Sequence, residues 1–219
     1  MTNPLLRRLE AARLYVITPD AAPGRVLEIA KAAVRGGADI VQLRHKSLPR
    51  GELLTLAREL RDVVRGALFV VNDYVDLALL AGADGVHLGP DDLSVASARK
   101  VAGDRLIVGV SASTADAVQP GADYAGCGPA FATPLKPQKQ VIGPAGVAAL
   151  TSALSIPVFA IGGIEEANLG QLTALGIRRA CVVRAVGEAS DPEQATRRLR
   201  AMLPAPTCSS RVCTSTSAG

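Results

Sequence analysis

Tryptophan is absent from this 219-residue chain, and aromatic residues make up only 3% of it. A core so poor in rings has to be built from Ala, Val, Leu and Ile, as in parallel sheets covered by helices. No run of 18 apolar residues occurs, and the opening stretch "MTNPLLRRLEAARLYVI" has no apolar signal region and no small-residue cleavage site. The expectation is a soluble, cytoplasmic protein with no membrane partner. The net charge of +4 is mild and spread along the chain. Aromatic and basic residues are not interleaved, so no nucleic-acid partner is expected. No G-x-G-x-x-G follows the first strand-like run, which removes the usual dinucleotide fingerprint. Cysteine is scarce. Cys127 and Cys181 sit in apolar runs and read as reduced core residues, whereas Cys208 and Cys213 lie in a Ser/Thr-rich tail without a histidine to complete a zinc site.

What is present is alternation. Strand-like runs fall at 13–17, 39–44, 67–71, 84–88, 106–110, 122–126, 157–161 and 179–183. Helical patterns lie between or after them, near 24–36, 50–65, 74–81, 93–102, 114–119, 144–154, 165–175 and 191–203. Eight strands alternating with eight helices predict parallel pairing. A phrase recurs in "GGADIVQLR", "AGADGVHLG" and "PGADYAGCG", with a degenerate copy in "LGIRRACVV". Each Gly suits the end of a helix and each Asp the start of a strand. This period favours a closed (β/α)8 TIM barrel, an α/β single domain, over an open doubly wound sheet. We expect residues 1–12 to form an N-terminal arm, 13–203 the barrel, and 204–219 a disordered tail.

In such a barrel the C-terminal strand ends carry the chemistry. Those ends supply Gln42, Arg44 and Lys46 after strand 2, and Asn72 and Asp73 after strand 3. His87, Asp91 and Asp92 follow in and after strand 4, then Ser111 and Ser113 at strand 5. The loop after strand 6 holds Thr133 and Lys136, strand 7 ends in Gly162–Gly163, and strand 8 leads into "RAVGEAS". Strands 3 and 4 are neighbours in a barrel, so Asp73 and Asp92 would converge at one mouth. Two carboxylates repel unless a cation joins them, and an oxygen-only set favours Mg²⁺. Gln42, Arg44 and Lys46 alternate and would share one side of an extended strand. With Lys136, three cations and Mg²⁺ match a pyrophosphate. The glycines of strand 7 and the turn after strand 8 suggest a second site, for a phosphate.

Each residue also has a plainer reading. Asp73 and Asp92 are well placed to cap the helices that follow them. Arg44 and Lys46 suit a solvated loop, and His87 suits a hydrogen-bonded interior position. His45 lies on the opposite parity from Arg44 and is expected to be exposed.

In order along the chain, "LYVIT", "GGADIVQLRHK", "FVVNDYVDLALLAGADGVHLGPDDL", "IVGVSAS", "ADYAGCGPAFATPLK", "VFAIGGI" and "VVRAV" resemble the thiamine-phosphate synthase family. The resemblance spans about residues 13 to 203. It implies a transferase of thiamine biosynthesis that joins an aminopyrimidine diphosphate to a thiazole phosphate, carboxylated or not, with release of pyrophosphate. It further implies that Gln42, Arg44, Lys46, Asn72 and Ser111 bind the pyrimidine diphosphate, and that Asp73 and Asp92 hold Mg²⁺. Lys136 would contact the diphosphate. Thr133, Gly163 and the backbone at Val183 and Arg184 would hold the thiazole phosphate. Arg44, Lys46, Lys136 and Ser111 are the implied catalytic residues. The partners implied are small molecules, with a homo-oligomer left open.

The chain departs from the family loop Pro-Thr-x-Thr-Lys, reading "ATPLK", with Ala132 for Pro and Leu135 for the second Thr. Loss of that hydroxyl predicts a raised KM for thiazole phosphate. Alternatives on the same scaffold are a thiazole tautomerase-like isomerase and a non-catalytic paralogue that binds the precursors. The aspartate pair, and Ser113 in place of a histidine base after strand 5, favour the synthase.

Overall fold

The computed structural model describes residues 3–134, 138 and 140–205. Eight short apolar runs become parallel strands: β1 (Leu14–Ile17), β2 (Ile40–Leu43), β3 (Leu68–Asn72), β4 (Gly85–Leu88), β5 (Ile107–Ala112), β6 (Tyr124–Cys127), β7 (Val158–Ile161) and β8 (Ala180–Val182). Each pairs with the next, and β8 pairs with β1 to close the barrel. Helix α1 (Pro4–Ala11) precedes β1. Helices α2 (Pro23–Arg35), α3 (Arg50–Val63), α4 (Val75–Leu80) and α5 (Val95–Ala102) follow the first four strands. Helices α6 (Gly143–Ala153) and α7 (Glu166–Ala174) follow β6 and β7, and α8 (Arg184–Gly187) and α9 (Pro192–Met202) follow β8. This is the (β/α)8 barrel expected from the alternation.

The helix expected over 114–119 is instead a three-residue 3₁₀ turn, Ala115–Ala117. Val118 leaves it in extended backbone, φ −82°, ψ 107°. Pro120 disfavours a helical Gln119, so the segment has no room for a second turn.

Strand residues alternate between two apolar layers. Val16, Val41, Phe69, Val86 and Val108 face outward into the layer under the helices. Tyr15, Ile40, Leu68, Ile107, Tyr124 and Phe159 point inward and pack with Leu9 and Ala12, so α1 closes the floor. Three of the chain's six aromatic rings, Tyr15, Tyr124 and Phe159, meet here. Tyr15 and Tyr124 each meet Phe159 edge-on, with centroids 5.5 and 5.7 Å apart. Cys127 and Cys181 are buried free thiols.

The Gly-Ala-Asp repeat has a single structural job. Gly37, Gly82 and Gly121 turn the chain with φ of 91°, 64° and 85°, a region glycine enters at little cost. The aspartates then clamp the start of the preceding strand. Asp39 Oδ2 accepts from Leu14 N–H (2.8 Å), Asp84 Oδ2 from Phe69 N–H (2.7 Å) and Asp123 Oδ2 from Val108 N–H (2.7 Å). Each also meets an arginine from an outer helix: Arg200 at 3.1 Å, Arg61 at 2.8 Å and Arg99 at 2.5 Å. The degenerate copy at β8 has no aspartate. There Arg179 reaches back to donate to Glu10 O at 2.8 Å, tying β8 to the floor helix.

Candidate active site

The opposite rim opens into a cavity of about 330 Å³. Gln42, Arg44, Asn72, His87 and Ser111 form one wall, from β2 to β5. Thr133, Gly162, Gly163, Val183 and Arg184 form the other, from the loops after β6, β7 and β8. Ten of the residues singled out in the sequence (Gln42, Arg44, Asn72, His87, Ser111, Thr133, Gly162, Gly163, Val183 and Arg184) therefore line one space. Leu135 and Lys136 lie outside the described residues, as does the tail from 206 onward.

Gln42 is 1% exposed and points into the barrel. Strand β2 stops at Leu43, and the backbone of Arg44 is held by Thr18, whose Oγ1 accepts from Arg44 N–H at 3.1 Å. Beyond that point strand parity no longer applies, and this corrects the expectation for His45. Its side chain is buried, with Nε2 2.9 Å from Ala21 O and Nδ1 2.9 Å from Asp20 Oδ1. The loop after β2 folds onto the loop after β1, and His45 is the peg between them. Lys46 leaves the cavity wall for its outer edge, where Nζ donates to Asp73 Oδ2 at 2.9 Å.

Neither aspartate of the candidate pair caps a helix. Helix α4 starts after Tyr74 without a side-chain cap, and α5 is capped by Ser94, whose Oγ accepts from Ser97 N–H. Asp73 sits at φ 65°, the one described non-glycine residue with positive φ. This region costs most side chains free energy, and such strain gathers at functional positions. Asp92 Oδ2 accepts from Gly89 N–H at 2.7 Å. Its pKa is raised, first by partial desolvation of the carboxyl, although the residue as a whole is exposed, and then by Asp73, which stands within hydrogen-bonding reach and adds negative charge. Among the described residues no cluster of three or more His, Cys, Asp or Glu forms a ready metal cage. Two adjacent carboxylates without sulfur or imidazole nonetheless fit Mg²⁺, which keeps several waters and takes substrate oxygens.

The Gly162–Gly163 pair serves packing as much as ligand access. A Cβ on Gly163 would lie 2.4 Å from Ala132 O, and one on Gly162 would lie 2.7 Å from Pro129. Phe131 N–H donates to Gly162 O at 3.0 Å, so the loops after β6 and β7 are zipped together by backbone. The main chain turns at Val183 into α8, and the Arg184 guanidinium pairs with Glu188 at 2.9 Å.

Two residues that sequence reasoning passed over stand under the cavity. The Tyr15 hydroxyl accepts from Gln42 Nε2 at 2.7 Å, and the Tyr124 hydroxyl is 3.1 Å from His87 Nδ1. The signal was available: a tyrosine at an inward position of a buried strand must bring its hydroxyl to a partner. His87 also reaches Ser111 Oγ through Nε2 at 2.9 Å, so the interior reading of His87 and its place on the cavity wall both hold.

Residues 14–186 match the family model described as thiamine monophosphate synthase. The chain is 46% identical over 198 residues to a thiamine-phosphate synthase of Gloeobacter violaceus, covering 88% of this chain and 58% of that protein. It is 44% identical over 206 residues to one of Thermosynechococcus vestitus, covering 90% and 58%. It thus spans 58% of the length of these two curated relatives. For a thiamine-phosphate synthase of Thermobifida fusca, the match is 44% over 214 residues and covers 93% of this chain and 97% of that one. Among solved structures, thiamine phosphate pyrophosphorylase from Pyrococcus furiosus superposes with a TM-score of 0.81 at 36% identity, over 90% and 96% of the two chains. A 3-hexulose-6-phosphate synthase, at 22% identity and TM-score 0.72, shares the barrel.

Proposed function

We propose that this chain, which belongs to the thiamine monophosphate synthase family, acts as a thiamine-phosphate synthase. In this reading it joins 4-amino-2-methyl-5-hydroxymethylpyrimidine diphosphate to 4-methyl-5-(2-phosphoethyl)thiazole. Thiamine phosphate and pyrophosphate are the products, with CO₂ when the thiazole is carboxylated. The observation that carries this reading is the meeting of two differently built walls. One bears Gln42, Arg44, Asn72 and Ser111, the other Gly163, Val183 and Arg184. The Lys46–Asp73–Asp92 group stands beside them.

The reaction asks little covalent chemistry of the protein. The C–O bond to pyrophosphate breaks as the 4-amino group feeds electron density into the ring. The thiazole nitrogen then forms the new C–N bond with its lone pair. Arg44, Lys46 and Lys136 would stabilise charge growing on the leaving group. Gln42, Asn72 and Ser111 would orient the pyrimidine. Thr133, Gly163 and the backbone at Val183–Arg184 would hold the thiazole phosphate in line, which is where proximity lowers the barrier. Mg²⁺ bound by Asp73 and Asp92 would neutralise the diphosphate oxygens. Leu135, in place of a hydroxyl residue, is expected to raise the KM for thiazole phosphate and leave the diphosphate site unchanged.

The test mixes both precursors with protein and Mg²⁺ and follows pyrophosphate and thiamine phosphate together. Equal release of the two supports the reading. Binding of one precursor without turnover would replace it with a non-catalytic role.

A further inference from the structure

Polar atoms from five strands form one unbroken chain inside the barrel. Gln42 Nε2 donates to the Tyr15 hydroxyl at 2.7 Å, and the Tyr15 and Tyr124 hydroxyls are 2.8 Å apart. Tyr124 Oη is 3.1 Å from His87 Nδ1, and His87 Nε2 is 2.9 Å from Ser111 Oγ. Gln42, His87 and Ser111 face the cavity. Tyr15 and Tyr124 lie beneath it, 2% and 0% exposed. The seat of Tyr124 is specific: a Cβ on Gly109 would fall 2.0 Å from its ring and 2.4 Å from its hydroxyl.

Counting protons gives the chain a direction. The Gln42 amide nitrogen only donates, so Tyr15 accepts there and has its own proton to place. Tyr15 is buried, and its neighbour along the chain is the Tyr124 hydroxyl, so Tyr15 donates to Tyr124. Tyr124 then donates to His87 Nδ1, which makes Nδ1 the acceptor and leaves the ring proton on Nε2. Nε2–H donates to Ser111 Oγ, and the Ser111 proton is turned toward the cavity. With Gln42 Nε2 facing Tyr15, the opposite direction would leave the Tyr15 proton in the apolar interior without an acceptor, a costly arrangement. Burial raises the pKa of both phenols, so both keep their protons.

We propose that Tyr15 and Tyr124 are positioning residues that set the polarity of the pyrimidine wall, presenting the Gln42 carbonyl oxygen as acceptor and the Ser111 hydroxyl as donor, and so select a 4-aminopyrimidine over its 4-oxo analogue. This rests on the function proposed above. A 4-aminopyrimidine offers an N–H donor beside a ring-nitrogen acceptor. The 4-oxo form offers a carbonyl acceptor beside an N–H donor. To match it, every proton along the chain would have to reverse and the Gln42 amide would have to turn over.

Two measurements test this. The chain has two histidines, so long-range ¹H–¹⁵N correlation spectra of labelled protein at pH 8 are simple, and a His45→Gln variant assigns them. The expected result is His87 protonated on Nε2 and bare on Nδ1. The opposite tautomer would overturn the proposal whether or not the enzyme turns over. In the second measurement, calorimetry compares binding of the 4-amino and 4-oxo pyrimidine diphosphates. In Tyr15→Phe and Tyr124→Phe the preference for the amino form should fall about 3- to 10-fold, the worth of one hydrogen bond. Equal weakening of both analogues would mean that the tyrosines only support the wall, and the proposal would fail. Absence of thiamine phosphate with the wild-type protein would count against the synthase reading alone, because the tautomer of His87 is read without substrate.

Discussion

At the floor of the barrel Asp39, Asp84 and Asp123 each meet an arginine and a strand N–H, whereas at the mouth Asp73 and Asp92 meet each other. The residue type is the same and the surroundings are opposite. Each floor carboxylate has its charge matched and its oxygens used, so it stabilises the strand it clamps. Among the described residues the mouth pair shares one lysine, Lys46, whose side chain is 55% exposed, and one of its members is held in left-handed backbone. Carboxylates kept together at a cost to the fold point to a ligand that repays it, whereas matched carboxylates point to architecture.

The largest break in this comparison should come from Asp73→Asn. Asparagine tolerates φ 65° better than most residues, so the change removes charge with little added backbone strain. We expect kcat/KM to fall by about 10²- to 10³-fold, the scale of losing a group that stabilises transition-state charge. Lys46 is exposed enough to remain hydrated without its partner, so the melting temperature should hold. Steady-state kinetics and a thermal melt on one preparation decide this. A variant with full activity would remove the metal reading of the pair.

The converse change is Asp84→Ala at the floor. It deprives Phe69 N–H of its acceptor and leaves Arg61, 25% exposed, without its carboxylate partner, its other bond to Val64 O remaining. Removing one member of a mostly buried pair should cost about 2–3 kcal/mol after allowance for partial exposure. For a chain of this size that lowers the melting temperature by roughly 5–10 °C. Below the transition, kcat/KM should stay within a few-fold of wild type. Loss of activity without loss of stability would mean that the two rims are not separable.

This division was partly legible in the sequence. The Gly-Ala-Asp repeat announced the floor because its period and its Gly are set by local backbone geometry. Asp73 and Asp92 stood out because they follow apolar strands, yet their distinction from helix caps needed coordinates. It rests on Ser94 taking the cap of α5 and on Tyr74 standing before α4. The exposure expected of His45 fails for a related reason. Strand parity extends only as far as the strand, and β2 ends two residues earlier. The expected helix over 114–119 failed on a proline whose effect outweighed a short pattern. Tyr15 and Tyr124 do not stand out in the sequence because each looks like an ordinary core ring alone. Only barrel closure sets hydroxyls from β1 and β6 2.8 Å apart, across the interior.

The smallest expected effect sharpens the comparison from the side of pH. The Asp92 carboxyl titrates higher in the folded protein than in the unfolded chain, through burial first and Asp73 second. Between the two values the folded state binds more protons, so stability falls as pH rises through this window, and the full penalty persists above it. Asp92→Asn removes the penalty and can still accept from Gly89 N–H through its amide oxygen. Without added metal, the variant should therefore melt slightly above wild type at pH 8, and the gap should close as the pH is lowered through the folded-state pKa of Asp92. Solvent around this exposed residue keeps the gap to a few degrees at most. Mg²⁺ should close it from the other side, raising the wild-type melting temperature by mass action and leaving the variant nearly unmoved. The floor offers the control: its aspartates already have their cations, so Asp123→Asn should melt below wild type at pH 8, with or without Mg²⁺. If Asp92→Asn behaves as Asp123→Asn does, the mouth pair is a structural clamp like the others, and the contrast between the two rims disappears.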